Sequence, residues 1–276
     1  MSVGIYIVSH KTYKFPKVNE YIPIKVGNSK DDFAILSDSD GDNISDKNPY
    51  YCELTALYWL WKNRQLEDYV GFCHYRRYFM LKGNDGYLRK CVDNIQKNED
   101  LINPSAVEKC LKKYDIIVPM AEPFLESMED NYLRQHRKGD WEILINVLNS
   151  KLDINERKIL HKLIHRKYGY ICNMFISNKK IFTDYMEWLF DVLSEVEKHV
   201  CVDETDKYQR RVFGFMAERL LNVYIAINNL RVIEVPMVYV KEDGENINDC
   251  YVDFKYKMAR KFPLDLYWLK KILKRG

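Results

Sequence analysis

The segment His74-Tyr-Arg-Arg-Tyr78 carries two adjacent arginines and a histidine directly after an apolar stretch at residues 69–73. That stretch predicts a short buried strand, so the two guanidinium groups leave the sheet where the strand ends. Burying cations there costs free energy unless an anion or a carboxylate meets them. Because the guanidinium group matches phosphate oxygens with a planar fork of donors, the segment indicates a phosphate site. The alternative is an internal ion pair with one of the chain's 40 acidic residues.

Glu53 lies near the start of a helix that the spacing of apolar residues predicts over residues 50–63. Leucine and aromatic residues recur on one side of this helix, which indicates that most of it is core packing. A carboxylate near the start of a buried helix needs a partner. Either Arg76 or Arg77 could supply it, and Glu53 would then hold the arginines in position.

Glu218 lies next to Arg219 among apolar residues of a helix predicted over residues 211–228. Burial disfavours the charged form of a carboxyl group and raises its pKa, which suits a general base at neutral pH. The alternative is a buried Glu–Arg pair with a structural role.

Tyr132, His136 and Asp140 are spaced four residues apart in a helix predicted over residues 127–148, so we expect them to share one face. A stripe of these three side chains could bind a polar substrate or transfer a proton. The alternative is an exposed polar face.

The acidic stretch Asp38-Ser-Asp-Gly-Asp-Asn43 lacks the spacing of an EF-hand loop, since its glycine precedes the third acid and no glutamate closes the loop. We interpret it as a solvated acidic turn, with a divalent site on two of its acids as the alternative. The sequence has no GxGxxG, P-loop, GxSxG or HExxH pattern and no paired zinc ligands. These omissions argue against a dinucleotide oxidoreductase, an NTPase, a serine hydrolase and a zinc enzyme.

Predicted strands alternate with predicted helices along the chain, which indicates an α/β domain with a mostly parallel central sheet flanked by helices. The strands are predicted at residues 3–8, 69–73, 115–118 and 171–177, and residues 231–240 are predicted to be extended. Residues 11–48 look irregular. Such sheets place ligand sites beyond the carboxyl ends of their strands, so we expect the chemistry at residues 9–11, 74–77 and 119–122.

The overall composition indicates a soluble cytoplasmic protein. The 276 residues include 43 basic and 40 acidic side chains, a net charge of +3, which excludes a global electrostatic binder of nucleic acid. Seven cysteines without a CxxC pair are typical of reduced thiols rather than of a disulfide scaffold or a zinc site. No apolar run approaches the roughly 20 residues of a membrane-spanning helix, and the N-terminus lacks the pattern of a secretory signal.

The C-terminal segment from Lys255 onward contains eight lysines and arginines and one acid, Asp265. Apolar residues including Tyr267 and Trp268 are interspersed with these cations, which is typical of an amphipathic helix at a membrane surface. We therefore predict a domain at residues 1–245 and a basic amphipathic tail at residues 246–276. Residues 255–276 would contact the inner face of the cell membrane, and the alternative is a terminal helix docked on the domain.

Several of these segments together resemble the bacterial family of capsular and exopolysaccharide glycosyltransferases with an HYRRYF-type motif, formerly a domain of unknown function. The resemblance extends from Val3 to about Val240. The segments that carry it are residues 23–27, 43–48, 51–63, 70–79 and 211–221.

The resemblance implies a single Rossmann-like nucleotide-sugar transferase domain of the GT-A type. In that fold the nucleotide lies beside the first strand, and an Asp-x-Asp motif after a later strand usually holds a metal on the diphosphate. Residues 73–77 stand at the corresponding strand end and contain no Asp-x-Asp. Two guanidinium groups could replace the metal by neutralising the leaving diphosphate, so no metal cofactor is expected to be required, with Mn²⁺ or Mg²⁺ left open.

The same resemblance implies a role for each candidate residue. The residues expected to line the nucleotide are Ser9, His10, Lys11 and Gly27. Those expected to hold the diphosphate are His74, Arg76 and Arg77. Glu218, or else Asp140, would deprotonate the acceptor hydroxyl in an inverting displacement, although retention stays open. The residues expected to contact the sugar or the acceptor are Tyr132, His136 and Asn173.

The implied activity is transfer of a hexose from a nucleotide-diphosphate sugar, with UDP-galactose in pyranose or furanose form as the first candidate. The acceptor would be a lipid-linked saccharide on a diphosphate at the cytoplasmic membrane face. One alternative is a metal-dependent nucleotidyl or phosphoryl transferase that uses the acids at residues 38–42. The other is a non-catalytic carbohydrate- or lipid-binding scaffold.

Overall fold

The computed structural model describes residues 1–27, 32–34, 36–81, 86–97, 100–124 and 126–251. The strands are β1 Val3–Ser9, β2 Tyr21–Lys25, β3 Leu36–Ser37, β4 Tyr69–His74, β5 Arg77–Phe79, β6 Tyr87–Val92, β7 Ile116–Pro119, β8 Glu122–Pro123, β9 Tyr168–Gly169, β10 Phe175–Asn178, β11 Val232–Val235, β12 Met237–Val240 and β13 Cys250–Tyr251. The helices are α1 Asn48–Tyr51, α2 Leu54–Asn63, α3 Pro104–Leu111, α4 Met128–Gln135, α5 Lys138–Lys151, α6 Ile154–Ile164, α7 Lys179–Glu197 and α8 Val212–Ile227. Short 3₁₀ turns cover Ser45–Lys47, Ile95–Lys97 and Gln209–Arg211.

The central part of the sheet has the strand order β3-β2-β1-β4-β10-β7-β11. Strands β1, β2, β3 and β4 run parallel, and β11 runs parallel to β7. Strand β10 is antiparallel to both of its neighbours, β4 and β7. The prediction of a mixed α/β fold with a mostly parallel central sheet is therefore confirmed.

Both faces of this sheet are covered, which explains why its inner strands read as continuous apolar runs rather than as alternating patterns. All seven residues of β1 are buried. Tyr6 and Phe72 belong to a core with α2, α5, α7 and α8 on one face, whereas Ile5 and Cys73 belong to a second core with α3 on the other.

A second arm of the sheet begins where β4 turns into β5 through the antiparallel pair His74 and Arg77. Strand β12 pairs antiparallel with β5 and parallel with β6, and β13 completes the arm beside β6. The segment predicted as one extended piece at residues 231–240 is divided, because Pro236 lacks the N–H that would continue the ladder. As a result β11 joins the central strands and β12 joins the second arm.

Two predicted helices are interrupted. The helix predicted over residues 50–63 is broken at Cys52, whose φ of 53° is incompatible with a right-handed helix. The helix predicted over residues 127–148 ends at Gln135, since His136 is extended with φ −135° and ψ 173°, and α5 starts only at Lys138. The expectation that Tyr132, His136 and Asp140 share one helical face is therefore wrong.

Among the described residues, every helix falls short of the length and apolarity that crossing a membrane requires. The predicted membrane-contacting segment at residues 255–276 lies outside the described part of the chain. Cys250 and Tyr251, which fall within the predicted tail at residues 246–276, form β13 on the second arm.

Candidate functional site

A cavity of about 560 Å³ opens at the carboxyl ends of β1 and β4. Because parallel strands bring their carboxyl ends to the same edge of a sheet, the segments after these two strands meet there, as predicted for residues 9–11 and 74–77. Residues 119–122, the third strand end predicted to carry chemistry, do not line this cavity. The residues that line the cavity are Val8, Ser9, His10, Val26, Asn48, Pro49, Cys52, Glu53, His74, Tyr75, Arg76, Arg77, Cys172, Lys207, Arg210, Arg211, Glu218 and Tyr239.

The structure brings together some of the predicted site residues and separates others. Those that line the cavity are Ser9, His10, Glu53, His74, Arg76, Arg77 and Glu218. Those that do not line it are Lys11, Gly27, Tyr132, His136, Asp140 and Asn173.

The two arginines that follow β4 are in different states. The guanidinium group of Arg77 forms no ion pair or hydrogen bond with any described residue, and Glu53 and Glu218 are its neighbouring carboxylates. It therefore remains available to an anion in the cavity.

The guanidinium group of Arg76 is engaged by residues 240–245, which we call the acidic strap. Its Nε donates to the carbonyl oxygen of Val240 at 2.9 Å, its Nη1 lies 3.4 Å from Glu242, and its Nη2 pairs with Glu245. Lys11 is held in the same way, with its Nζ 2.7 Å from Glu242 Oε1. The predicted diphosphate contact of Arg76 and nucleotide contact of Lys11 thus compete with carboxylates of the chain itself.

Glu218 lies in the second turn of α8 at the base of the cavity. Its Oε1 accepts a hydrogen bond from the backbone N–H of Cys172 at 3.0 Å, and its Oε2 accepts one from Arg219 Nη1 at 2.7 Å. Burial raises the pKa of Glu218, the Arg219 guanidinium opposes this change, and the charge of Glu53 adds to it. Glu218 therefore forms the ion pair with Arg219 and also lines the cavity, so both interpretations from the sequence describe this one carboxylate.

Glu53 is held by Asn173 rather than by the predicted arginine partner. Asn173 Nδ2 donates to Glu53 Oε1 at 2.7 Å and to the carbonyl oxygen of Gly214 at 3.2 Å. Asn173 is buried and supports Glu53 from behind, so the geometry gives it a positioning contact in place of the predicted sugar contact. Gly214 permits this close packing, because a Cβ there would lie 3.1 Å from Cys52 Sγ.

Backbone strain is concentrated beside these two carboxylates. Cys52, Cys172 and Asn173 have φ values of 53°, 78° and 49°, a region that non-glycine residues rarely occupy. Such conformations persist only where the surrounding structure enforces them, and they cluster at functional sites. Here they direct Glu53 and the N–H of Cys172 toward the cavity.

His74 fixes the loop that contains Cys172. Its Nε2–H donates to the carbonyl oxygen of Cys172 at 2.5 Å, and burial lowers the pKa of His74, so the ring is neutral at pH 7. His74 therefore contributes a hydrogen bond rather than a positive charge to the predicted diphosphate site.

The other predicted nucleotide residues shape the turns after β1 and β2. The hydroxyl of Ser9 donates to the carbonyl oxygen of Lys11 at 2.6 Å, and the His10 ring packs edge-on against Tyr75. Gly27, with φ 64°, donates its N–H to Asp38 Oδ1 at 3.2 Å. These contacts leave the ring of His10 as the exposed polar group at this wall of the cavity.

Asp38 is fully buried and accepts a 2.5 Å hydrogen bond from the hydroxyl of Thr55. The interpretation of residues 38–43 as a wholly solvated turn is therefore wrong at its first residue. Burial also raises the pKa of Asp38, and the residue braces the turn at Gly27 against α2. In the described part of the chain, no three His, Cys, Asp or Glu side chains form a group that could hold a metal ion.

Tyr132, His136 and Asp140 are buried, so the alternative of an exposed polar face is wrong. The ring of Tyr132 lies 5.4 Å from the Arg219 guanidinium, and the ring of His136 stacks on Phe215 at 4.1 Å. Burial lowers the pKa of His136 to about 4 and keeps it neutral. Tyr132 and His136 therefore pack against α8 away from the cavity.

Three cations at the cavity were not selected from the sequence. Lys207, Arg210 and Arg211 belong to the turn that precedes α8, and none forms an ion pair with a described carboxylate. The adjacent arginines were a visible signal, but the sequence does not reveal that this turn meets the end of β4. The lining therefore contains five cationic side chains and two carboxylates, a strongly cationic site.

A family model described as a domain of unknown function, DUF4422, matches residues 4–229. The chain belongs to this family. The fold is similar to the apo structure of WbbM, a bifunctional glycosyltransferase, with a TM-score of 0.76 and 34% sequence identity. The similarity covers 88% of this chain and 46% of the WbbM chain, so this chain spans about half the length of that protein. No curated protein matches the chain.

Proposed function

We propose that this chain is a glycosyltransferase of the GT-A type that binds a nucleoside-diphosphate sugar in the cavity at the ends of β1 and β4. The observation that carries the proposal is a cationic cavity that also contains the partly buried carboxylate of Glu218, whose pKa burial raises. The similarity to WbbM, a glycosyltransferase, supports the same reaction class.

The nucleotide would lie beside the end of β1, between His10 and Val26. Its diphosphate would reach Arg77, whose guanidinium forms no ion pair with a described residue although Glu53 and Glu218 are nearby. A guanidinium group beside the leaving diphosphate stabilises the negative charge that develops as the glycosidic bond breaks. Arg76 would join this contact only after the diphosphate displaces Glu242 and Glu245.

Glu218 would act as the general base. In an inverting displacement the acceptor oxygen attacks the anomeric carbon, the bond from that carbon to the diphosphate breaks, and the acceptor proton moves to the carboxylate. A raised pKa brings the carboxyl group closer to the operating pH, which favours proton transfer. Asp140, the other candidate from the sequence, lies outside the cavity lining.

The donor set at the cavity does not fit a divalent metal on the diphosphate. Tyr75, Arg76 and Arg77 follow β4 and offer no carboxylate. The two lining carboxylates are each already held, Glu53 by Asn173 and Glu218 by Arg219. The proposed transfer is therefore metal-independent.

UDP-galactose, in pyranose or furanose form, is the first donor to test. The acceptor would be a lipid-linked saccharide of capsular or exopolysaccharide synthesis at the cytoplasmic face of the membrane. The basic residues at 255–276 support this placement through attraction to anionic lipids.

The proposal is tested by a thermal-shift screen of nucleotides and nucleotide sugars, with Mn²⁺ and separately with EDTA. We expect UDP and at least one UDP-sugar to raise the melting temperature equally under both conditions. A shift that requires Mn²⁺ would instead favour the metal-dependent nucleotidyl transferase. Binding of a UDP-sugar without hydrolysis or transfer would favour a non-catalytic scaffold.

A further inference from the structure

Lys207, Arg210 and Arg211, which we call the α8 cation cluster, line the cavity without an ion pair to a described carboxylate. The carboxylates whose charge acts on Arg211 from within the cavity are Glu53 and Glu218. The Nε–H of Arg210 is buried and has no hydrogen-bond acceptor in the described part of the chain. The Nε–H of Arg211 contacts only the weak acceptor Cys52 Sγ, at 3.2 Å, and its guanidinium lies 5.3 Å from the centre of the Phe215 ring. Within the described residues, no carboxylate pairs with any of the three.

The turn that carries the cluster is fixed by contacts within the protein. Asp206 Oδ1 accepts hydrogen bonds from the backbone N–H groups of Tyr208 and Gln209, at 2.9 and 3.0 Å. Gln209 Nε2 donates to the carbonyl oxygen of Gln135 at 2.9 Å, and the Tyr208 ring packs on Phe215 at 5.0 Å. The backbone that carries the cations is thus held in place before any ligand arrives, which lowers the entropic cost of binding.

Three like charges within five residues repel one another, and an anion that accepts several hydrogen bonds removes that repulsion. A phosphate group has the charge and the number of acceptor oxygens to contact both guanidinium groups. At Arg76 the need for a negatively charged partner is met by Glu242 and Glu245 of the acidic strap.

The position of the cluster indicates which phosphate it binds. Arg211 precedes Glu218 by seven residues along α8, which corresponds to about 10 Å along the helix axis. Both side chains line the same cavity. A sugar with a phosphate on one carbon can therefore present that phosphate to Arg211 and a free hydroxyl to Glu218.

We propose that the α8 cation cluster is a second phosphate site, separate from the donor diphosphate site at Arg77, and that it binds the phosphate group of the acceptor. This inference rests on the proposed function, because that function places the donor at Arg77 and the base at Glu218. An acceptor without phosphate would forgo these contacts, so the cluster selects phosphorylated acceptors such as a saccharide on a lipid diphosphate.

The test uses inorganic pyrophosphate as the probe, titrated by calorimetry into protein that is already saturated with UDP. We expect pyrophosphate to bind the wild-type protein and to bind at least about tenfold more weakly to the double variant Arg210→Gln, Arg211→Gln. The double variant Arg134→Gln, Arg157→Gln removes the same charge away from the cavity and should retain the wild-type affinity. UDP affinity should stay within about threefold of wild type in both variants, which also shows that they fold.

Two results would overturn the inference. Pyrophosphate that does not bind UDP-saturated protein would show that donor and probe share one site. Equal weakening of UDP and pyrophosphate in the Arg210, Arg211 variant would assign the cluster to the donor. A wild-type protein that does not bind UDP contradicts the proposed function instead, and titration of pyrophosphate without UDP then decides whether the cluster binds phosphate.

Discussion

Two pairs of adjacent arginines meet at the cavity, and they differ in how their charge is balanced. Arg76 of the first pair is matched by Glu242 and Glu245, whereas Arg77 is not. Arg210 and Arg211 of the second pair both lack an ion pair with a described carboxylate. The sequence pattern is the same in both places, and the neighbours that the fold supplies make the difference.

Two adjacent arginines therefore identify a ligand site only where the fold leaves their guanidinium groups without an ion pair. A matched guanidinium such as that of Arg76 must lose its carboxylates before it can bind another anion. A guanidinium without an ion pair, such as that of Arg77, can bind an anion without first losing a carboxylate that pairs with it. Functional assignment should therefore follow the unpaired donors at the cavity.

The largest expected effect is at the carboxylate between the two arginine pairs. Glu218→Gln should lower turnover by about 10³-fold because the acceptor proton loses its base, while UDP binding persists. Steady-state kinetics with a UDP-sugar donor, together with calorimetry, measure both. The matched control Asp140→Asn lies outside the cavity and should keep turnover within about twofold. Full turnover in the Glu218 variant would remove the proposed role of this residue.

The first arginine pair itself offers the next test. Arg77→Gln should weaken UDP binding by about 10- to 100-fold, since a charge-assisted contact to the diphosphate is lost. Arg76→Gln should have a smaller effect, because its guanidinium is already matched by the acidic strap. Isothermal calorimetry with UDP compares the two directly. Equal losses of UDP affinity in both variants would mean that the acidic strap does not make Arg76 less available to the diphosphate than Arg77.

The acidic strap provides a smaller and opposite effect. The double variant Glu242→Gln, Glu245→Gln removes the carboxylates that compete with the diphosphate for Arg76, so UDP affinity should rise by about two- to fivefold. The variant Glu142→Gln, Glu187→Gln removes equal charge from exposed helix positions and should leave the affinity unchanged. Weaker UDP binding in the strap variant would show that the strap positions Arg76 for the ligand.

His136, which stacks on Phe215 of α8, offers a test of stability. The folded protein keeps His136 neutral until its pKa of about 4, whereas the unfolded chain takes up the proton near pH 6.5. Stability should therefore fall as the pH drops from about 6.5 to 4, by up to ~3 kcal/mol from this residue. His136→Phe retains an aromatic ring on Phe215 and should remove part of this acid sensitivity in urea melts at pH 7 and pH 5. If the free energy of unfolding falls as much between pH 7 and pH 5 in the variant as in the wild type, His136 is not the source of the acid sensitivity.

The sequence predicted well those features that depend on local pattern. Apolar runs located β1 and β4, and the general rule for parallel sheets placed the ligand site at their carboxyl ends. The carboxylate among apolar residues of a predicted helix singled out Glu218, and this residue lines the cavity. Each of these inferences used residues within one element and one rule about how such elements pack.

The sequence predicted poorly those features that depend on contacts between distant segments. The break at Cys52 follows from the close approach of Gly214 on α8, which lies about 160 residues further along the chain. The extended backbone at His136 accompanies stacking on Phe215, so the four-residue spacing of Tyr132, His136 and Asp140 was misleading. Long-range packing overrode helical periodicity in both cases.

By itself, the sequence determined the α/β class, the apolar strands and the presence of cations and a carboxylate suited to a phosphate-containing substrate. Only the tertiary structure decided that Arg76 is paired with the acidic strap while the α8 cation cluster lines the cavity without an ion pair to a described carboxylate. The physical reason is that hydrophobic periodicity is a property of each segment. Charge compensation instead depends on distances of a few ångströms between segments, which only the folded chain fixes.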